Sequence, residues 1–104
     1  MTIRFSVVIT KVAEGDIREI FEYILSDNHS AATKWIEKIE SQVDSLERFP
    51  MRCQVIPEAQ ELKEEYRHFV FSNYRTIIRV EKSRVLIMRV IHAARLLDLG
   101  MFEK

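Results

Sequence analysis

Midway along the chain the spacing of its apolar residues changes, and the change falls at Phe49-Pro50. Before it, Val12 or Ala13, Ile17, Ile20, Phe21 and Ile24 recur at three- and four-residue intervals, as do Ala32, Trp35, Ile36, Ile39, Val43 and Leu46. Each set lines one face of an α-helix, with Glu14, Glu19 and Glu22 elsewhere on the first wheel. After it come short runs rich in β-branched and aromatic residues at 66–71, 74–81 and 85–92, which predict strands. Helices followed by strands is the pattern of an α+β domain, and the fold expected is a helical hairpin packed on one face of a twisted, mainly antiparallel sheet.

Local signals supply the rest of the order. Residues 3–9 (IRFSVVI) predict an N-terminal strand, and Thr10 is placed to cap the first helix. Asp27-Asn28-His29-Ser30 breaks the helical pattern, and Ser30 is the expected N-cap of the second helix. Pro50 disfavours helix at Phe49 and ends it. So short a link makes the helices antiparallel. Residues 52–56 predict a short strand and residues 57–65 a charged connector or helical turn. Ser72-Asn73 and Lys82-Ser83-Arg84 are turns, so the last three strands form a meander. Residues 93–102 predict a short C-terminal helix, which completes the order β-α-α-β-β-β plus a terminal helix. With no repeat, low-complexity segment or linker, residues 1–104 are expected to be one domain.

Composition removes several function classes. At 47% hydrophobic and 31% charged, with two Gly and two Pro, the chain is globular in type. No apolar run approaches the ~20 residues of a membrane span, and the first ten residues lack a signal-peptide layout. Cys53 is the single cysteine, which excludes an internal disulfide and a cysteine-based zinc site and suits a reducing cytoplasm. Two glycines cannot build a phosphate-cradling loop, and a serine-nucleophile elbow is missing. Two of the three histidines stand at no motif spacing from a paired carboxylate or cysteine. Neither a metal nor a cofactor is expected.

The formal charge is zero but unevenly spread. Residues 1–64 carry 8 Lys+Arg against 12 Asp+Glu; residues 65–104 carry 8 against 4, and six of those eight are Arg. Guanidinium groups match phosphate and carboxylate in bidentate fashion, so the second segment is expected to meet an anionic partner. If Ser72-Asn73 is a two-residue turn, Val70 faces Arg75, His68 faces Ile77 and Tyr66 faces Arg79. Phe69, Phe71, Tyr74, Thr76 and Ile78 then share the opposite, aromatic-rich face that the helices cover. The uncovered face is expected to present Tyr66, His68, Arg75 and Arg79, joined by Arg95 and by Arg89 between Ile87 and Ile91. The tail Leu96, Leu97, Leu99, Met101 and Phe102 is strongly apolar for a chain end and either packs on the sheet or awaits a partner.

Two stretches carry a family resemblance. HSAATKWIEKIESQVDSLERFP (29–50) has small residues early, an aromatic-Ile pair and a Leu-x-x-Phe-Pro end. NYRTIIRVEKSRVLIMRVIHAAR (73–95) has Asn73-Tyr74-Arg75, a turn, and a strand ending in His92-x-x-Arg95. Together they resemble the RelE/ParE toxin superfamily over nearly the whole chain, and more closely its ParE-like, plasmid-stabilisation branch.

The resemblance implies the toxin of a type II toxin–antitoxin pair, with a cognate antitoxin as partner and a toxin–antitoxin hetero-oligomer. RelE-like members are ribosome-dependent endoribonucleases acting on messenger RNA, whereas ParE-like members poison DNA gyrase. The nuclease site resembles a basic constellation: two lysines before the Tyr-Arg strand, that Arg, an Arg after the last strand, and a terminal Tyr. Arg75 and Arg95 match the arginines. The lysine positions fall on Tyr66 and His68, or with one gap on Arg67 and Phe69, and the tyrosine falls near Met101-Phe102. Metal-free cleavage needs a base, cations at the phosphate and an acid, and arginine is a poor proton shuttle. In a nuclease His68 or His92 would therefore move protons beside Arg75 and Arg95.

With the lysine pair and tyrosine missing, the expectation is a binding toxin directed at gyrase, through Arg75, Arg79, Arg89, Arg95 and the apolar tail. The alternatives are a RelE-like nuclease and a non-toxic binding module on the same fold.

Overall fold

The computed structural model of the protein describes residues 4–59 and 65–95. Strand β1 (Ser6–Ile9) leads into helices α1 (Lys11–Asp27) and α2 (His29–Ser45). A 3₁₀ turn (Pro50–Arg52) follows, then β2 (Gln54–Val55), β3 (Arg67–Phe71), β4 (Tyr74–Glu81) and β5 (Arg84–His92). The five strands form one sheet in the order β1-β5-β4-β3-β2. β1 runs parallel to β5, and the other neighbours are antiparallel.

The ends of the helices explain their placement. The Thr10 hydroxyl accepts from the Ala13 amide at 3.2 Å and donates to the Ile87 carbonyl at 2.8 Å, which ties the start of α1 to β5. Asn28 serves both helices: its amide donates to Ile24 O at 2.8 Å and its Oδ1 accepts from Ala31 N at 3.0 Å. The expected four-residue break thus shrinks to one residue, and the N-cap is Asn28 rather than Ser30, which lies inside α2 with His29. Asparagine caps as well as serine, and taking the earlier residue adds two residues, His29 and Ser30, to α2. Asn28→Ala is expected to cost about 1 kcal/mol, read as a lowered midpoint in urea unfolding.

Both faces of the sheet are packed. On the helix side, Ala13 and Leu46 meet Ile78, Val85 and Ile87, while Trp35 and Ile39 meet Val90, flanked by Phe69, Phe71 and Tyr74. On the other side Ile56, Tyr66, Ile77 and Ile91 form a smaller cluster, with Ala59 and Met88 against it. The β3–β4 register is the expected one, with Val70 opposite Arg75 and His68 opposite Ile77. The β4–β5 register is not uniform: Ile77 pairs with Arg89 but Ile78 pairs with Ile87, which leaves Met88 as the extra residue of a bulge. Ile87 is thereby turned to the helix side and Met88 to the other face, so the expected alternation of Ile87, Arg89 and Ile91 is broken.

The remaining boundaries are shorter than the sequence suggests. Residues 52–56 supply only the two-residue β2 after the 3₁₀ turn, and residues 57–59 are a turn. Residues 93–95 leave β5 in a turn; the rest of the expected terminal helix, with Leu96, Leu97, Leu99, Met101 and Phe102, lies outside the described residues.

Candidate functional site

The face of the sheet turned away from the helices is where the chain places its most constrained charge. β4 carries Arg75 there, opposite Val70 on β3 and Ile91 on β5. The 57–59 turn folds over it, anchored by buried Ile56, whose amide donates to Tyr66 O at 3.0 Å, and by Ala59 N donating to Ile56 O at 3.2 Å. Glu58 on that turn meets Arg75 in a bidentate pair: Nη1 donates to Oε1 at 3.1 Å and Nη2 to Oε2. Arg75 is 4% exposed and Glu58 8%. Nη2 also donates to the carbonyl of Arg95 at 2.6 Å, and Nη1 lies 3.3 Å from His68 Nδ1. Among the described residues, the buried Nε of Arg75 finds no acceptor.

This geometry sets the state of His68. Arginine has donors only, so Nδ1 is the acceptor in that contact and the ring proton sits on Nε2. Burial, and then the Arg75 charge, hold the imidazole below its ordinary value, partly offset by Glu58. Since the folded pKa is lowered, the unfolded chain takes up the proton first. His68 is therefore expected to cost the fold nothing above the ordinary histidine range and to destabilise it as pH falls through about 6.5 towards the lowered folded value. In His68→Gln that part of the acid sensitivity should disappear from unfolding curves taken between about pH 7 and 5.

The other expected site residues separate. Arg79 lies over the Tyr66 ring, 6.0 Å from its centroid, and pairs with Glu81 at 3.4 Å, so it shares the open face with Arg75. Arg95 is exposed and contributes its carbonyl to Arg75. Arg89 does not join them. Its Nε and Nη2 donate to Asp16 of α1 at 2.6 and 2.9 Å, and Asp16 also accepts from Val90 N at 3.0 Å. The hydrogen bond to Asp16 raises its pKa further, and the pair closes the part of the β5 edge that β1 leaves uncovered.

His92 is apart from His68 as well. Its ring packs edge-on against Tyr74 at 5.8 Å, Tyr74 packs the same way against Trp35, and Nδ1 accepts from Ala94 N at 3.1 Å. Tyr74 belongs to the helix-side cluster, so the two histidines flank different faces of the sheet. Arg75, His68 and the Arg95 carbonyl thus converge, whereas Arg89 and His92 do not.

Glu58 was not among the residues singled out from the sequence. It stands in the connector 57–65 with Glu61, Glu64 and Glu65, where nothing in composition distinguishes one carboxylate from another. The signal available was Arg75 itself. An arginine flanked by Ile77 and facing Ile91 on a covered face requires a counter-charge, and this connector is a nearby source. As arranged, Arg75 offers no free donor edge to solvent, and Tyr66, just before β3, with His68 and Val70 on β3, stands where the nuclease pattern would place lysines. Among the described residues, no group of three or more His, Cys, Asp or Glu could hold a metal ion, and no helix is long and apolar enough to cross a membrane.

Comparison with known proteins points one way. The sequence model of the ParE toxin of type II toxin–antitoxin systems, parDE, matches residues 7–97. The fold is similar to a chromosomal ParDE toxin–antitoxin structure from P. aeruginosa, with a TM-score of 0.67 and 18% identity, covering 86% of this chain and 96% of that one. It is also similar to a chain of the RelBE2 toxin–antitoxin complex from Mycobacterium tuberculosis, with a TM-score of 0.60 and 20% identity, covering 91% of this chain and 98% of that one. Among curated proteins, none matches the sequence.

Proposed function

The chain belongs to the ParE toxin family of type II toxin–antitoxin systems, and we propose that it arrests growth by binding its target, with no chemistry of its own. The observation that carries this reading is the bidentate Glu58–Arg75 pair. An arginine that stabilises charge on a scissile phosphate must present its donors to the substrate. Here the guanidinium is already neutralised by a buried carboxylate, and its second donor edge is turned to the Arg95 carbonyl. DNA gyrase is the target inherited from the ParE-like resemblance, reached through Arg79, Arg95 and the apolar tail Leu96, Leu97, Leu99, Met101 and Phe102. Such a target places the protein in the cytoplasm.

A cognate antitoxin is the second partner. The structural neighbours come from ParDE and RelBE2 toxin–antitoxin assemblies, which supports one for this chain. Its C-terminal segment folds along the helical hairpin and the sheet edge, burying apolar surface as it orders. The groove lined by Ile9, Ile17, Ile36, Ile39 and Val43 offers an apolar floor for it.

One observation favours the alternative of a RelE-like messenger nuclease: His68, a titratable group, touches Arg75. The two readings part in one experiment. Purified protein is incubated with gyrase and plasmid DNA, and separately with translating ribosomes. Gyrase inhibition with intact messenger is the expected result; codon-positioned messenger cuts contradict it. No effect in either assay leaves the fold as a non-toxic binding module.

A further inference from the structure

We propose that the outer edge of β3, where it faces α2, takes up a short, extended, acidic segment of another protein as an added strand. The cavity beside this edge shares no lining residue with the groove of Ile9, Ile17 and Ile36. Neither gyrase nor the antitoxin is assumed as the owner of the segment.

The edge is open because β2 is short. Tyr66 turns its carbonyl outward to accept from Ile56 N at 3.0 Å, and by alternation His68 and Val70 also turn their main-chain groups outward. β2 ends at Gln54, opposite His68. Arg52, next in line to face Val70, belongs instead to the 3₁₀ turn. The amide and carbonyl of Val70 are thus left without a main-chain partner among the described residues. An unpaired strand edge is a template for an added strand. Here it carries no charge or proline to blunt it: Val70 is 52% exposed, with Phe49 of the cavity wall equally so.

α2 provides the room. Lys38, Ser41, Gln42 and Ser45 recur at helical spacing and line a cavity of about 510 Å³ against Phe69 and Val70. The two serines keep that wall low. Gln42 keeps a buried Oε1 with no hydrogen-bond partner among the described residues, which an incoming main chain can supply.

Charge selects the occupant. Among the described residues, Lys38 and Arg52 line the cavity and no Asp or Glu does. Both cations are exposed; Lys38 lies 5.8 Å from the centroid of the Phe71 ring and Arg52 5.4 Å from that of Phe49. A second copy of this chain, edge to edge, would set these cations against themselves. A nucleic acid would meet the cations but not the paired donor and acceptor of a strand edge. An extended segment with an apolar centre and flanking carboxylates meets both.

A library of random short peptides is panned on the purified full chain, and the enriched peptides are synthesised and titrated in. They are expected to be acidic with an apolar centre, to shift the Val70 amide and Phe49 ring signals in NMR spectra, and to bind more weakly as salt rises. Lys38→Glu/Arg52→Glu is expected to lower their affinity at least about tenfold. Val70→Pro, which removes the outward N–H at a position where an edge strand accepts proline, should weaken them as well. No enrichment, enriched peptides that are basic or leave the Val70 signal unmoved, or unchanged affinity in the charge-reversed variant would each overturn the proposal. So would a short RNA or DNA that shifts the same signals and that the peptides fail to displace. If Val70→Pro does not fold, the charge-reversed variant decides alone, since both of its altered side chains are exposed.

Discussion

Alanine at Arg75 or at Glu58 alone is expected to destabilise the fold by about 3–5 kcal/mol, because each change leaves the other charge buried without its counter-ion. With total stability of a domain near 5–15 kcal/mol, either variant should sit close to the edge of folding in thermal and urea melts. Removing both charges should behave differently. In Glu58→Leu/Arg75→Met the two side chains are of similar size but apolar, and they meet Ile56, Tyr66, Ile77 and Ile91, which already form a cluster on this face. That variant is expected to unfold within about 1–2 kcal/mol of the parent, since a buried pair often contributes little against a packed apolar replacement. The checking measurement is a double-mutant cycle from urea unfolding. Single losses that simply add would show that the two residues do not act on each other.

The same pair marks the limit of what the sequence discloses. The change of period at Phe49-Pro50 is enough for the helical hairpin and the meander, because apolar spacing reports which face is buried. The turn Ser72-Asn73 is enough for the β3–β4 register, since a two-residue connection fixes every pair that follows; Ser72 takes a positive φ of 57° to make it. Three features escape this reasoning. The bulge at Met88 inserts one residue into β5 without any glycine or polar signal and turns Ile87 to the helix side, while Arg89 stays opposite Ile77 and is kept from Arg75 by its side chain reaching Asp16 of α1. The cap passed from Ser30 to Asn28 because both residue types satisfy helix amides, and only the backbone decides between them. Glu58 escaped because long-range ion pairs carry no local spacing: it reaches Arg75 across 17 positions through a turn that composition does not specify. The convergence of Arg75 with His68 was legible from strand alternation, and the carboxylate that closes over them was not.

Deleting residues 96–104 is expected to abolish growth arrest, while His68→Ala is expected to retain it. The reasons lie at opposite ends of the site. His68 is a neutral ring against Arg75, and the lysine pair and terminal tyrosine of the nuclease pattern are missing, so no proton-transfer role depends on it. The last nine residues include Leu96, Leu97, Leu99, Met101 and Phe102, a concentration of apolar side chains suited to an interface, where affinity follows a few buried anchors. Induced cultures of the parent and the two variants, with protein levels matched by immunoblot, are compared by growth curves. Full arrest by the deleted chain would remove the tail from the binding surface. Loss of arrest in a folded His68→Ala variant would assign the ring a part in chemistry.

Growth arrest by Glu58→Leu/Arg75→Met puts the central claim to its most direct test. This variant takes away the cation, the carboxylate and the polarity of the site together, while the apolar cluster beneath keeps the fold. A toxin that acts by binding, through a surface other than this closed pair, should arrest growth at the parent level once expression is matched. Arrest that disappears from a folded, parent-like double variant, together with messenger cuts in cells expressing the parent, would contradict the account and make Arg75 a catalytic residue.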